Sequence, residues 1–242
     1  MNACPHKPET RNPKPETRNI LNYKDMRLPI SIVFLFITLI SLAQVSKFGT
    51  YYDQRKSLFE LLPDTKNEVV FLGNSITDGS EWCELLQNPH AVNRGISGDT
   101  SEGVLNRLYQ VTRIQPAKVF LLIGINDLSK NISPDTVYVN IVKIVSTISR
   151  QSPKTKVFVQ SILPVNNTFK TFASHTSRTL QVKDLNERIR TICPRMGATF
   201  IDLFQVLKNP NDDLLNPMYT NDGLHLLGEG YKAWAKAIQP YL

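Results

Sequence analysis

The sequence predicts an α/β domain, a three-layer α/β/α sandwich built on a five-stranded parallel sheet. Three observations carry that expectation. Short apolar runs of strand length alternate with stretches at helical spacing five times between residues 68 and 203, the pattern of a parallel sheet covered on both faces by right-handed crossovers. Two of those runs stop abruptly in polar turns, Gly73-Asn74-Ser75 and Gly124-Ile125-Asn126-Asp127. Turns of that kind fall at the carboxyl edge of a parallel sheet, where open α/β folds bind ligands. Finally, 242 residues fit one domain of about 200 residues plus an extension. The expected strand order is 2-1-3-4-5.

Residues 1–25 are polar and rich in Pro, Lys, Arg, Asn and Thr, and Pro-Glu-Thr-Arg-Asn occurs at both 8–12 and 15–19. Such a stretch cannot bury a core and reads as disordered if it is translated. Met26-Arg27 then precedes an almost wholly apolar run from Leu28 to Leu42, with small residues Ser41 and Ala43 at the −3 and −1 positions of a cut before Gln44. This is the pattern of a secretory signal peptide, and the run is shorter than the roughly 20 residues of a spanning helix. The expectations are that Met26 is the true start, that residues 26–43 are removed and that residues 44–242 form the domain. The destination is secreted or periplasmic, with no stable membrane span after cleavage.

Within the domain, residues 47–62 read as a surface helix closed by Pro63, and 68–72 as the first strand. A short helix over 78–86 carries Trp82, Leu85 and Leu86, and 91–93 is a second strand. Gly95-Ile96-Ser97-Gly98-Asp99-Thr100 is a glycine-containing loop. Asp99 or Thr100 caps the next helix, where Val104, Leu105, Leu108 and Val111 share one face. The third strand is 117–123. Ser133 and Pro134 are the N-cap and first residue of a helix with Val137, Ile141, Ile144, Val145 and Ile148 on its sheet-facing side. Residues 156–163 make a fourth strand. The polar segment 164–178 is long enough to be a mobile, substrate-facing loop. A helix with Leu185, Ile189 and Ile192 inward follows, then a last strand at 198–203, a loop at 207–220 and a closing helix at 228–238.

Composition narrows the function classes. Hydrophobic content of 41% and charged content of 20% are ordinary for a globular protein. The net charge is +7, of which residues 1–43 supply +3 and the remainder +4. The body holds no block of Lys and Arg, so no nucleic-acid partner is expected. Cys4, Cys83 and Cys193 form no C-x-x-C or Cys/His cluster, so no metal site is expected. Cys83 and Cys193 could pair in an oxidising compartment; the reading preferred is two buried small hydrophobes.

The chemistry converges on four short stretches. Ser75 follows the first strand. A neutral serine hydroxyl is a weak nucleophile and needs an adjacent base. Asp222-Gly223-Leu224-His225 places a carboxylate and an imidazole three residues apart just before the last helix. His225 Nε2 could take the Ser75 proton while Asp222 fixes the tautomer and stabilises the imidazolium. Attack on an ester carbonyl creates an oxyanion, for which the backbone N–H of Ser75, the backbone N–H of Gly98 and the side-chain amide of Asn126 are candidate donors. Each stretch alone has a plainer reading: a helix cap for Gly-x-Ser, surface chemistry for Asp-x-x-His, a turn for Asn-Asp, turn geometry or a phosphate contact for the glycine loop. Their order and placement at strand ends favour the catalytic one. His6 lies in the extension, and His90 and His175 lack a nearby Asp in this pattern. They read as surface or loop residues, His175 with a secondary claim to substrate contact.

From Glu68 to Tyr241 the chain resembles the SGNH hydrolase superfamily, the GDSL-like esterases. Gly73-Asn74-Ser75 matches the nucleophile block. Asn93-Arg94-Gly95-Ile96-Ser97-Gly98-Asp99-Thr100 matches the block whose glycine, here Gly98, serves the oxyanion hole. Gly124-Ile125-Asn126-Asp127 supplies the oxyanion asparagine, Asn126, and Asp222-Gly223-Leu224-His225 the catalytic pair. The resemblance implies a flavodoxin-like sheet, an acyl-serine intermediate and no metal or organic cofactor. The second block and the stretch 222–231 look closest to the branch holding platelet-activating-factor acetylhydrolase-type subunits and bacterial sialate O-acetylesterases, which implies acetyl esters. The family usually has Asp where this chain has Asn74, which puts in doubt any role needing a negative charge there. The leading expectation is a secreted esterase that deacetylates a carbohydrate such as sialic acid. A lysophospholipase or lipase, with Phe169 and Phe172 lining an acyl groove, and an inactive glycan-binding relative are the alternatives. A nucleotide binder is disfavoured, because no G-x-G-x-x-G or P-loop pattern occurs.

Overall fold

The computed structural model describes residues 47–242. The extension, the apolar run and the expected cleavage point after Ala43 lie outside the described residues. Elements follow in chain order as α1 (Thr50–Leu61), β1 (Val69–Gly73), α2 (Ser75–Asp78), α3 (Trp82–Leu85), β2 (Ala91–Gly95), α4 (Ser101–Arg107), α5 (Tyr109–Thr112), β3 (Lys118–Leu122), α6 (Ile125–Ser129), α7 (Pro134–Gln151), β4 (Lys156–Gln160), α8 (Ala173–Thr176), α9 (Thr179–Ile192), β5 (Thr199–Ile201), α10 (Leu203–Leu207) and α11 (Gly228–Ile238). The five strands are all parallel, in the order β2-β1-β3-β4-β5. The fold is the three-layer α/β sandwich expected from the alternation.

Every residue of β1 is buried, as are the last four of β3 and of β4, which is why these strands read as unbroken apolar runs. The register sets Phe71 beside Phe120 and Phe120 beside Phe158. The three rings stack across the sheet at 5.1 and 4.7 Å. Trp82 lies flat on Phe71 at 4.0 Å, and Trp234 from α11 meets Trp82 edge-on at 4.8 Å. Both buried indoles are satisfied: Trp82 Nε1 donates to the Thr77 carbonyl at 2.9 Å, and Trp234 Nε1 to Gln160 Oε1 at 2.6 Å. Each such ring contributes about 1.5–3 kcal/mol through burial alone, so the aromatic layer fixes α3 and α11 against the sheet.

Several expectations need correcting. The helix expected over 78–86 is two separate turns, α2 and α3. The former begins at Ser75 because Asn74 caps it. Leu105 and Ile192 are half-buried rather than inward. The segment 164–178 is less irregular than a plain loop: Pro164, Val165 and Asn166 are buried, α8 lies within it, and Asn166 N–H donates to the Gly223 carbonyl at 2.8 Å. Cys193 is buried as expected, but Cys83 is exposed on α3, and both are free thiols. Helix α1 is less of a surface element than its sequence implies. Tyr52 and Phe59 pack with Ile96 in a small second core, and Tyr52 Oη donates to the Gly103 carbonyl at 2.8 Å.

Candidate active site

The sheet order reverses direction between β1 and β3, and the loops leaving those two strands flank the crevice where such folds bind ligands. Ser75 stands at the end of β1, as the first residue of α2. The Asn74 side chain, fully buried, accepts the Ile76 N–H at 3.1 Å and so caps this turn. The turn is also clamped from two sides. The Asn93 amide from β2 lies within 3.0 Å of the carbonyls of Thr77, Asp78 and Ser80. From α11, the Tyr231 hydroxyl donates to the Ile76 carbonyl at 2.9 Å.

The loop before α11 brings the other two residues. Asp222 Oδ1 accepts the N–H groups of Leu224 and His225, both at 2.8 Å, which folds the Asp-Gly-Leu-His stretch back on itself. Asp222 Oδ2 faces His225 Nδ1 at 2.7 Å, and His225 Nε2 lies 3.0 Å from Ser75 Oγ. Gly223 is required by the turn: its φ is +84°, and a Cβ there would lie 2.3 Å from the Asn166 carbonyl oxygen. Burial raises the Asp222 carboxyl, but the His225 N–H, the His225 ring and the Leu224 N–H outweigh it and hold the carboxyl below its ordinary range. An ionised Asp222 keeps the proton of the neutral imidazole on Nδ1 and leaves the Nε2 lone pair facing the serine.

The three candidate oxyanion donors sit at the ends of β1, β2 and β3. Neither the Ser75 N–H nor the Gly98 N–H donates to another group among the described residues. Gly98 holds φ +81° with open space where a Cβ would be, so conformation rather than crowding calls for glycine. Asn126 is buried at the start of α6, and its Nδ2 donates to the Asp99 carbonyl at 2.9 Å. That bond uses one of its two amide protons.

Behind these loops lie two buried carboxylates that sequence reasoning did not place in the site. Asp99 pairs with Arg107 at 2.9 Å, both essentially without solvent contact, and Arg107 Nη2 donates to the Gly73 carbonyl at 3.1 Å. Burial pushes the Asp99 carboxyl up to about 6 against the pull of Arg107. Asp127 accepts the Ser101 N–H at 3.0 and 3.1 Å and its hydroxyl at 2.5 Å. Burial raises the Asp127 carboxyl as well. Arg107 thus ties the β2 loop to the strand that presents Ser75, and Ser101 ties it to the helix that presents Asn126. Arg107 could not be found from the sequence, where it reads as one more basic residue on a helix. Asp127 offered only its place beside Asn126.

His175 moves from the loop into the site. Its Nε2 lies 3.0 Å from Asn126 Oδ1. Phe172 stands edge-on to both histidines, 5.8 Å from His175 and 5.0 Å from His225. Two cations lie on the same rim: Lys130 Nζ donates to the Gly98 carbonyl at 3.4 Å, and Arg178 to Asn131 Oδ1 at 2.6 Å. Neither forms an ion pair among the described residues. His90 is exposed, as expected. Among the described residues no group of three or more His, Cys, Asp and Glu is placed to hold a metal ion, and no helix is long and apolar enough to cross a membrane.

This arrangement can activate a hydroxyl nucleophile beside donors for a developing oxyanion. Comparison with known proteins agrees with that capacity. Rat platelet-activating factor acetylhydrolase IB subunit alpha1 is 35% identical over 107 residues, which are 42% of this chain and 45% of that protein. The match therefore spans less than half the length of that relative. The rat alpha2 subunit is 26% identical over 184 residues, covering 73% of this chain and 75% of the subunit. The crystal structure of a GDSL-like lipase from Bacteroides thetaiotaomicron superposes with a TM-score of 0.69 at 28% identity, over 78% of this chain and 96% of that one. Residues 71–233 match the model of the GDSL-like lipase/acylhydrolase family. The chain belongs to that family.

Proposed function

We propose that the protein is a secreted serine esterase that removes acetyl groups from a carbohydrate, O-acetylated sialic acid foremost, through an acyl-serine intermediate. The observation that carries this reading is the relay Ser75 Oγ–His225 Nε2 at 3.0 Å and His225 Nδ1–Asp222 Oδ2 at 2.7 Å, set at the carboxyl edge of the sheet. As Ser75 Oγ attacks the ester carbonyl, its proton passes to His225 Nε2. The carbonyl oxygen becomes anionic and takes hydrogen bonds from Ser75 N–H, Gly98 N–H and Asn126 Nδ2. The imidazolium, held against Asp222, gives its proton to the departing alcohol and leaves acetyl-Ser75. Water, deprotonated by the same nitrogen, then releases acetate and restores the serine.

Three observations support the finer points. The acetylhydrolase names of the rat relatives favour a short acyl group. Lys130 and Arg178 leave positive charge on the rim, and a cavity of about 190 Å³ beside Gly98 is lined in part by Lys130. A carboxylate on the acyl acceptor complements that charge. Export rests on the apolar run before Gln44.

The test is hydrolysis of p-nitrophenyl acetate against the octanoate ester, in wild type and Ser75→Ala. Acetate is expected to be the better substrate, and Ser75→Ala to lose turnover with its circular dichroism unchanged. Preference for octanoate would move the reading to lipids, and turnover without Ser75 would remove it as nucleophile. Release of acetate from O-acetylated sialic acid should then exceed release from a neutral O-acetylated sugar. Sequencing the exported protein should find Gln44 at its N-terminus; an earlier start overturns cleavage after Ala43.

A further inference from the structure

The Asn126 side chain can serve an oxyanion only in one of its two flipped orientations. With Nδ2 toward the crevice it donates; with Oδ1 there it would repel the developing charge. The Asp99 carbonyl, 2.9 Å away, accepts and cannot donate, so it selects Nδ2 on its side of the amide. The atom facing His175 is then Oδ1, an acceptor, and the 3.0 Å contact requires a proton on His175 Nε2. A neutral ring protonated on Nε2 has a lone pair on Nδ1, and the Ser174 hydroxyl lies 3.3 Å from that atom as its donor. Phe172, edge-on at 5.8 Å, holds the plane of the ring. The chain of donors runs Ser174 Oγ–H, His175 Nε2–H, Asn126 Nδ2–H, and its last uncommitted proton is the one available to substrate.

We propose that His175 is a positioning residue for the oxyanion hole: it grips Asn126 Oδ1 so that the free Nδ2 proton is fixed toward the reacting carbonyl. The proposal rests on the serine-esterase reading above and adds to it a residue that neither attacks nor shuttles the catalytic proton. Burial, the facing charge of His225 and the nearby Lys130 and Arg178 hold His175 below the ordinary histidine range. It therefore keeps the single Nε2 proton the grip needs while His225 cycles through its charged form. A chain of aligned hydrogen bonds also polarises its terminal donor, strengthening it as charge develops on the substrate.

The test is a double-mutant cycle on p-nitrophenyl acetate, with His175→Phe, His175→Gln, Asn126→Ala and the combination of His175→Phe with Asn126→Ala. Loss of an oxyanion donor costs about a hundred- to thousand-fold in turnover, so Asn126→Ala should fall in that range. His175→Phe keeps a ring against Phe172 but removes the donor. It should lower kcat roughly ten- to hundred-fold with little change in KM, the signature of an interaction made only in the transition state. His175→Gln, whose amide N–H reaches the same place, should recover most of that loss. In the Asn126→Ala background His175→Phe should cost no more than about twofold, because there is no amide left to orient. Full additivity of the two substitutions would overturn the proposal, and so would a loss that appears only in KM or a His175→Gln as slow as His175→Phe. Ser75→Ala is read in parallel. Turnover that survives it refutes the serine-esterase reading itself, whereas loss in Ser75→Ala together with an additive cycle refutes only the role of His175.

Discussion

Asn74 occupies the position beside the nucleophile where the family usually carries aspartate. What the structure asks of it is one acceptor: Oδ1 caps the Ser75 turn through the Ile76 N–H, and a cap of this kind contributes about 1 kcal/mol. Its Nδ2 is buried without a partner. A carboxylate would supply the same cap but bury a full charge at a position without solvent contact, which is costlier than burying an unpaired amide. Asn74→Asp should therefore retain kcat within a few-fold on p-nitrophenyl acetate while losing about 1–3 kcal/mol of stability near neutral pH. The loss should shrink in acid, where the carboxyl is protonated; urea titrations at pH 5 and pH 8 would show it. A folded but inactive Asn74→Asp would mean that the neutral side chain does more than cap.

At the level of elements, what the sequence made legible is what local chemistry decides. Ser133 and Pro134 begin α7 as expected, with Ser133 Oγ accepting the Thr136 N–H at 3.2 Å, and the five inward residues of that helix are all buried. The closing helix occupies the expected residues. Strand ends were less legible, because burial continues where pairing stops. The fourth strand was expected to run to 163, yet its ladder ends at Gln160. Ile162 and Leu163 remain buried beyond it, and the Asn186 amide brackets Ile162, accepting its N–H and donating to its carbonyl at 2.8 Å each. An apolar run reports burial, and here a side-chain amide takes over the work of a neighbouring strand. Likewise Leu203 belongs to a helix rather than to the last strand, since Asp202 Oδ1 caps it through the Gln205 N–H at 3.3 Å. In the site, Ser75, Gly98, Asn126, Asp222 and His225 were legible because each stands in a short turn of recognisable composition. His175 meets Asn126 from 49 residues away, across segments with no shared local signal. Only the folded chain shows that the loop expected to be mobile carries a side chain that meets the oxyanion asparagine.

For the whole molecule, the order β2-β1-β3-β4-β5 gathers the loops after the first three strands at one edge, and the loop before α11 closes over them. Titratable groups with shifted protonation lie at that edge, Asp99, Asp127 and His175 among them. Groups of opposite sign act between pH 4 and 7, the raised carboxyls Asp99 and Asp127 on one side and His175 on the other. Asp99, raised to about 6, keeps its proton in the folded state where the unfolded chain has lost it, so its contribution falls as pH rises from about 4 to 6. His175 is lowered from 6.5 by burial first and then by the charges of His225, Lys130 and Arg178 that face it. Below about 6.5 the unfolded chain takes up a proton on this residue that the folded protein resists, so its contribution is present above that pH and lost as pH falls. The two trends partly cancel in the wild-type protein, and a single stability profile would not separate them. A difference between proteins does, because Asp99 and Asp127 contribute alike to both. The stability of wild type minus that of His175→Gln, from urea unfolding at a series of pH values, should decline steadily from pH 7.5 to pH 5. The glutamine cannot take up the proton, so only the wild type feels the penalty. A difference that stays flat across that range would mean His175 titrates in the folded protein as it does in the unfolded chain, and that the ring is not held neutral by its surroundings.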